Sequence, residues 1–566
     1  MISAAFSSTA TKDMSTQTPL MYLFVLVLIG LLLRSYTGLF GVFSVTLLSI
    51  TSAMGLFGWT GQEISGMSSS TPVIILTVVV AHSIHLLVSY YQSIREGRQK
   101  YESMHDALDL NLQPIILTSI STGIGFLSLN FLADVPPIQD VGNMVAVGVA
   151  FGFIYSVTFL PALVYVLPNR VRPSKSIAVT SMNKFANWVI KRRHHLLIVS
   201  SVIAMSLLAL APMNVISDKF SEYFKDDYYF RIDTDFLDKN LGGLYLIEYS
   251  LDSGLEQGVS NPDYLNRIES FANWYRQQPE VKHVSTYTDI VKRLNKNLHG
   301  DDEAFYTLPG TQELAAQYLL LYELSLPFGL DLTNQLNFDK SSSRMRVSFA
   351  AMGTPEFIDV QERAKRWLQD NAPEFVQQGS SMSLMFTHIG IRVMTGSIKG
   401  ALIALVLISI ILVISLRSLR IGLISIVPNV LPGMVGFGVW YLLRGEVGMS
   451  TSMVLGITMG IVVDDTVHFL SKYIRARRDR GLSVEDGVRY AFSTVGVALW
   501  VTTIVLVGGF LILGTSDLAN NGDMGLLVAI VISIALILDF ILLPPLLMLL
   551  DRKDWVEAKI TKGRAA

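Results

Sequence analysis

The residues best suited to move protons sit inside one apolar stretch. GITMGIVVDDTVHFL (456–470) carries Asp464, Asp465 and His468 within a run otherwise fit to cross a bilayer. An Asp at the centre of a membrane helix costs roughly 2.5–3.5 kcal/mol on insertion scales, so two in succession point to a function. Asp464 and His468 are four residues apart and share a helical face. Adjacent carboxylates in a low-dielectric setting cannot both ionise cheaply and are expected to titrate as one coupled unit. His468 adds a residue type that titrates near neutral pH. Together these groups suit a proton relay, charged from one side and discharged to the other. The simpler reading is a buried polar cluster that only fixes helix packing, and the doubled Asp argues against it. Gly456 and Gly460 precede Asp464 at four-residue intervals, so this face can approach a neighbouring helix closely.

Further candidates lie in other apolar runs. His82 and His85 can either face the Asp pair as relay partners or sit at a helix end. Thr502 and Thr503 can hydrogen-bond the carboxylates, although Thr in a membrane helix more often bonds its own backbone. Asp539, in ALILDFILLPP, is either a further relay acid or a residue near the end of its span. Asn143 and Ser156 are weaker candidates. The sequence contains no Cys, which excludes disulfides and thiolate chemistry. His-Asp-Asp fits zinc by residue type, but no ligand spacing supports it, so no metal or other cofactor is expected. No nucleophile–base pair or phosphate loop emerges, so an enzyme is not expected either.

The elements that must hold these residues follow from composition. Of 566 residues, 51% are hydrophobic and only 16% charged, against roughly 25% charged in soluble domains. Eleven runs are long enough to span a bilayer: 18–34, 38–58, 72–92, 113–132, 140–167, 195–215, 397–416, 421–443, 451–472, 495–515 and 524–550. One set of connections, including Arg34, Arg170 to Arg193, Lys472 to Arg489 and the tail from Arg552, holds 24 Lys and Arg. The alternate short connections hold only Arg444. Positive residues mark the cytoplasmic side. That places the N-terminal tail (1–17) and the segment 216–396 outside and the tail 551–566 in the cytoplasm. The cytoplasmic linker 168–194 ends in a basic stretch that reads as an interfacial amphipathic helix, a simple basic stop, or both.

The apolar runs are duplicated. AHSIHLLVSYY (81–91) lies over DDTVHFLSKYI (464–474), which sets His85 opposite His468. TSISTGIGF (118–126) lies over TTIVLVGGF (502–510), DVGNMVA (140–146) over DMGLLVA (523–529), and LPAL (160–163) over LPPL (543–546). The offset holds at 383–384 residues, so 18–167 and 397–550 are parallel five-span repeats. Where the second repeat has Asp464 and Asp465, the first has Ala81 and His82. A lead span (195–215) and the segment 216–396 precede the second repeat only; the first is expected to lack both.

Segment 216–396 reads as a separate domain with a net charge of −9 (17 basic and 26 acidic residues), which argues against nucleic acid as a partner. Strands are expected at 243–251, 343–352 and 382–391, and helices at 262–278, 281–297 and 355–370. This order predicts an α+β domain with two split β-α-β units.

GIVVDDTVHFLSKY, GLSVEDGVRYAF, TTIVLVGGF and LPPLLMLLDR together resemble the second membrane half of the resistance–nodulation–division (RND) superfamily, in its MMPL-like branch of hydrophobe/amphiphile exporters. AHSIHLL, TSISTGIGF and FLPALVYVL resemble the first half, which is similar to a sterol-sensing domain. PGTQELAAQYLLLYE resembles part of a porter domain. The resemblance implies a membrane all-α bundle with one external α+β porter-like domain, in a bacterial inner membrane. It further implies proton-driven export of hydrophobic or amphiphilic, lipid-like molecules, with Asp464 and Asp465 at the family's relay position. Protons, membrane lipids and a lipid-like substrate are the expected partners. A homo-oligomer or a separate chain supplying the missing front end is a further expectation. The alternative is a non-transporting lipid sensor or accessory subunit, or a chain whose natural start lies further upstream.

Overall fold

The structure is a computed structural model that describes residues 2–33, 35–62, 64–65, 67–131, 135–168, 177–327, 330–375 and 377–551. Arg34, the basic residues of 169–176 and the tail from Arg552 lie outside the described residues. The chain forms two compact units, Met1–Val215 with Ile391–Ala566, and Ile216–Gly390.

Among the described residues eleven helices are long and apolar enough to cross a membrane. They are Ser3–Leu31, Tyr36–Trp59, Ser68–Arg95, Lys100–Phe131, Pro136–Val166, Arg193–Met213, Met382–Leu416, Leu419–Leu443, Met449–Arg478, Val484–Leu513 and Ala519–Leu550. Several run past the apolar segments because polar residues at the ends continue the helical hydrogen bonding. Side chains cap some of the starts: Ser418 accepts from the Ile421 amide and Ser483 from the Asp486 amide.

Residues 1–17, expected to be a tail, are helical from Ile2 onward and continuous with the first span. The stretch has no Pro before Pro19. It is held by a Lys12–Asp517 ion pair of 2.6 Å, and Ser516 Oγ donates to the buried Asp13 at 2.5 Å. The basic stretch after the fifth span forms a helix, Ile177–Lys191. Its Ala186, Val189 and Ile190 are buried, and Phe185 stacks on Trp188, meets Phe492 edge to face and lies tilted against Phe540.

The third and ninth spans are buried almost all round, whereas the sixth is mostly exposed at its sides. A helix apolar on every face belongs at the centre of a bundle. These two central helices are repeat equivalents. The ninth packs on the fourth and the third on the tenth, again an equivalent pair.

The second unit has a three-stranded sheet of β1 (Tyr245–Asp252), β2 (Val281–Ser285) and β3 (Ser342–Phe349), in the order β1-β3-β2. Both outer strands run antiparallel to β3, with Tyr245 opposite Phe349 and Asp252 opposite Ser342 in the first pair. Alternation along β1 buries Tyr245, Ile247, Tyr249 and Leu251 against helices Pro262–Arg276 and Thr354–Asn371. β1, the first of these helices and β2 make a split β-α-β unit around β3.

Three expectations fail here, the first being the second split β-α-β unit, for which the described residues supply no further strand beside the three-stranded sheet. Residues 281–297 are not one helix: 281–285 is β2, and the helix Tyr287–Leu298 starts behind a capping box of Thr286 and Asp289. Residues 382–391 are not a strand. The helix Met382–Leu416 begins there, and just before it Ser380 makes an isolated antiparallel bridge to Glu248. A short apolar run cannot be divided between strand and helix by periodicity alone, and the apolar helix that follows extends back through it.

Candidate functional site

Close packing at Gly460 brings the two repeats together. A Cβ on Gly125 of the fourth span would lie 2.7 Å from the Gly460 Cα and amide nitrogen. A Cβ on Gly456 would lie 2.8 Å from Ser128 Oγ. Thr122 Oγ1 donates to the Gly460 carbonyl at 3.0 Å. Only glycine lets the backbones approach this closely, and one turn further along lie Asp464 and Asp465.

Both acids are buried, at 6% and 4% exposure, and His468 and Asp539 are fully buried. Thr503 Oγ1 donates to Asp465 Oδ2 at 3.2 Å, and Thr466 Oγ1 to Asp539 Oδ1 at 2.9 Å. Thr502 bonds its own helix, at the carbonyls of Ala498 and Leu499. The helical spacing of four sets His468 Nε2 3.5 Å from Asp464 Oδ1. Among the described residues no Lys or Arg forms an ion pair with Asp464, Asp465 or Asp539. The second oxygen of Asp539 and Oδ1 of both Asp464 and Asp465 have no hydrogen-bond partner.

His85 comes from the third span, and its ring stacks on His468 with centroids 3.7 Å apart and planes 7° apart. His82 is buried one turn away, with Nδ1 unpartnered. Neither first-repeat histidine sits at a helix end; both are inside Ser68–Arg95. The geometry thus gathers Asp464, Asp465, His468, His85, Thr503 and Asp539, and leaves out Thr502. Ser156 meets Ser83 at 3.3 Å and Asn143 meets Asn130 at 2.8 Å.

Sequence reasoning missed two participants. Thr466, between the acids and His468, is an ordinary residue in an apolar run until Asp539 is placed beside it. Lys472, counted among the basic connections, is 2% exposed and belongs to the ninth span. Its ammonium donates to the carbonyl of Leu110 and lies 3.5 Å from Asn111 Oδ1. Pro114 explains the first bond. It has no N–H, so the Leu110 carbonyl four residues back has no helical donor. A Pro inside an apolar helix four residues after a free carbonyl was the available signal. Lys472 also lines a cavity of about 290 Å³ with Asp109, Gln113, Ser415, Ser471 and Arg475.

The arrangement is a set of buried acids and imidazoles at the seam between two repeats, with few hydrogen bonds and, among the described residues, no Lys or Arg paired with the acids.

Comparison with known proteins agrees with this layout. A 161-residue segment is 27% identical to a membrane protein of Methanocaldococcus jannaschii, covering 28% of this chain and 41% of that relative. The chain therefore spans under half the length of this relative. The fold is similar to that of Disp, the hedgehog release protein of the water bear Hypsibius dujardini. The TM-score is 0.68 at 14% identity, over 96% of this chain and 71% of the other. The profile of the MMPL family matches residues 2–196 and 339–565, nearly all of the first unit and part of the second. The chain is a multi-pass membrane protein and belongs to the MMPL family.

Proposed function

We propose that this protein moves hydrophobic or amphiphilic, lipid-like molecules across or out of a bacterial inner membrane, driven by the proton gradient. The observation that carries the reading is the uncompensated acid cluster at the repeat seam. Burying a carboxylate with no paired cation is costly, and a proton is the simplest way to neutralise it. Loading and unloading Asp464, Asp465 and Asp539 would alter the packing of the ninth span against the third and fourth. The cavity beside Lys472 offers a polar approach toward this cluster from one end of the bundle.

Family membership supports transport of a lipid-like substrate and argues against an enzyme. The distribution of basic residues supports an orientation with the second unit outside and the C-terminus in the cytoplasm. In that orientation the second unit is the external, porter-like domain.

Proteoliposomes with an imposed proton gradient test the reading. The wild-type chain should couple substrate movement to proton flux, and Asp464→Asn with Asp465→Asn should bring coupled flux down to that of protein-free liposomes. Full coupled flux in the double variant would sink the proposal.

A further inference from the structure

The two stacked histidines raise a question that proton movement does not answer. Both nitrogens of His85 and both of His468 are buried without a hydrogen-bond partner, and so is Asp464 Oδ1. A neutral imidazole offers one N–H and one lone pair, and here neither is used on either ring. His85 and His468 are 1% and 0% exposed, so water does not solvate them from outside the bundle. One ligand atom from each of His85, Asp464 and His468 can be chosen so that all three lie within 4.8 Å of one another.

We propose that His85, Asp464 and His468 form a binding site for a divalent transition-metal ion of the zinc class, bridging the two membrane repeats. Two imidazoles and one carboxylate are the donor set of many open zinc sites, where a fourth position is left for water or another ligand. Asp464 and His468 are four apart on one helix and so present their donors side by side. His85 supplies the third donor from the opposite repeat. Metal–nitrogen bonds of about 2.0–2.1 Å need the three donors closer than they now stand, and because an imidazole binds through a lone pair in its ring plane, one of the two near-parallel rings must turn out of the stack to share an ion. Two imidazoles disfavour Mg²⁺ and Ca²⁺, which take oxygen ligands.

The surroundings suit a cation. Asp465 is adjacent to Asp464 and is held by Thr503, while Asp539 is held by Thr466. Lys472, one turn beyond His468, is the opposing charge, and its ammonium is bonded to Leu110 and Asn111 of the fourth span. His82 lies on the same helix as His85, three residues before it, and is not part of the donor set. The inference does not rest on proton coupling. It does imply that metal and proton compete for Asp464, and that a bound ion would pin the third span to the ninth.

The test uses the full chain in detergent with any affinity tag removed and metals stripped by a chelator. Equilibrium dialysis against Zn²⁺, followed by metal analysis, should show retention of about one ion per chain. Loading with Co²⁺ should give the visible absorption of a low-coordinate nitrogen–oxygen site. His85→Ala, His468→Ala and Asp464→Asn should each lose both signals, whereas His82→Ala should keep them. His85→Gln serves if the alanine variant does not fold. Mg²⁺ or Ca²⁺ in excess should not displace Zn²⁺. Absence of Zn²⁺ retention by the wild-type chain, or retention that survives loss of His85, overturns the site. Asp465→Asn separates this inference from the transport reading: it should remove coupled flux yet retain Zn²⁺. Failure to retain Zn²⁺ by a wild-type chain that still couples flux to protons defeats the metal site alone.

Discussion

The two membrane repeats fill equivalent positions with different chemistry. In the second, Thr466 donates to Asp539 at 2.9 Å; at the same positions in the first, 383 residues earlier, Ser83 meets Ser156 at 3.3 Å. Asp465 of the second repeat corresponds to His82, and Asp464 to Ala81. Thr503, which donates to Asp465, corresponds to Ser119, which bonds the carbonyl of Ile115 on its own helix. Among these positions of the cluster only His468 and its counterpart His85 keep their identity, and they are stacked on each other. The close approach recurs too: Gly125 faces Gly460, and the equivalent Gly509 faces Thr77. A shared backbone frame thus carries neutral hydroxyls on one side and acids on the other. Duplication supplied the seam, and substitution within one copy placed the charge there.

The largest expected effect breaks this asymmetry outright. Asp464→Asn with Asp465→Asn leaves Asp539 as the one remaining acid of the second repeat's cluster and should abolish proton-coupled flux in proteoliposomes. Next comes the packing of the seam. Gly125→Ala should lower stability by about 1–3 kcal/mol, as overpacking does, because the new methyl meets the Gly460 backbone. Gly509→Ala should cost less, since its methyl meets the flexible end of Met21, at 2.5 Å, and the Thr77 side chain. Thermal unfolding in detergent ranks the two, and equal losses would deny that backbone contact is what matters at Gly125. A smaller difference is expected at the hydroxyls. Thr466→Val leaves a buried carboxyl oxygen unpaired and should cost about 1–3 kcal/mol, whereas Ser83→Ala should cost under about 1 kcal/mol. The same measurement on Thr503→Val and Ser119→Ala should give the same order with a narrower gap, because the Thr503 bond is the longer one. Reversal of either order would mean that the acids draw no support from these threonines.

Much of the bundle was legible in the residues. Eleven apolar runs became eleven membrane-capable helices because a bilayer-length apolar segment has few other folds open to it. The repeat offset placed His85 opposite His468 before any coordinates. The limits came where local pattern is ambiguous or where a partner is distant. Residues 382–391 are apolar enough for a strand, yet they join the long helix that follows. Lys472 looked like a loop residue because loops collect Lys, and only the carbonyl left free by Pro114 explains how it is held inside. The helix from Ile2 to Pro19 depends on Asp517 and Ser516, some five hundred residues away in the chain.

The sequence by itself determined the number of spans, the duplication, the absence of cysteine chemistry and the identity of the costly acids. These follow from composition and period, which act locally along the chain. Tertiary structure decided which polar groups meet. Thr503 rather than Thr502 reaches an acid, Thr466 reaches Asp539, and among the described residues five buried imidazole nitrogens of His82, His85 and His468 are left without partners. Hydrogen bonding and burial are set by helix rotation and by the glycine contacts at the seam, and a one-residue turn of about 100° decides which neighbour a side chain faces.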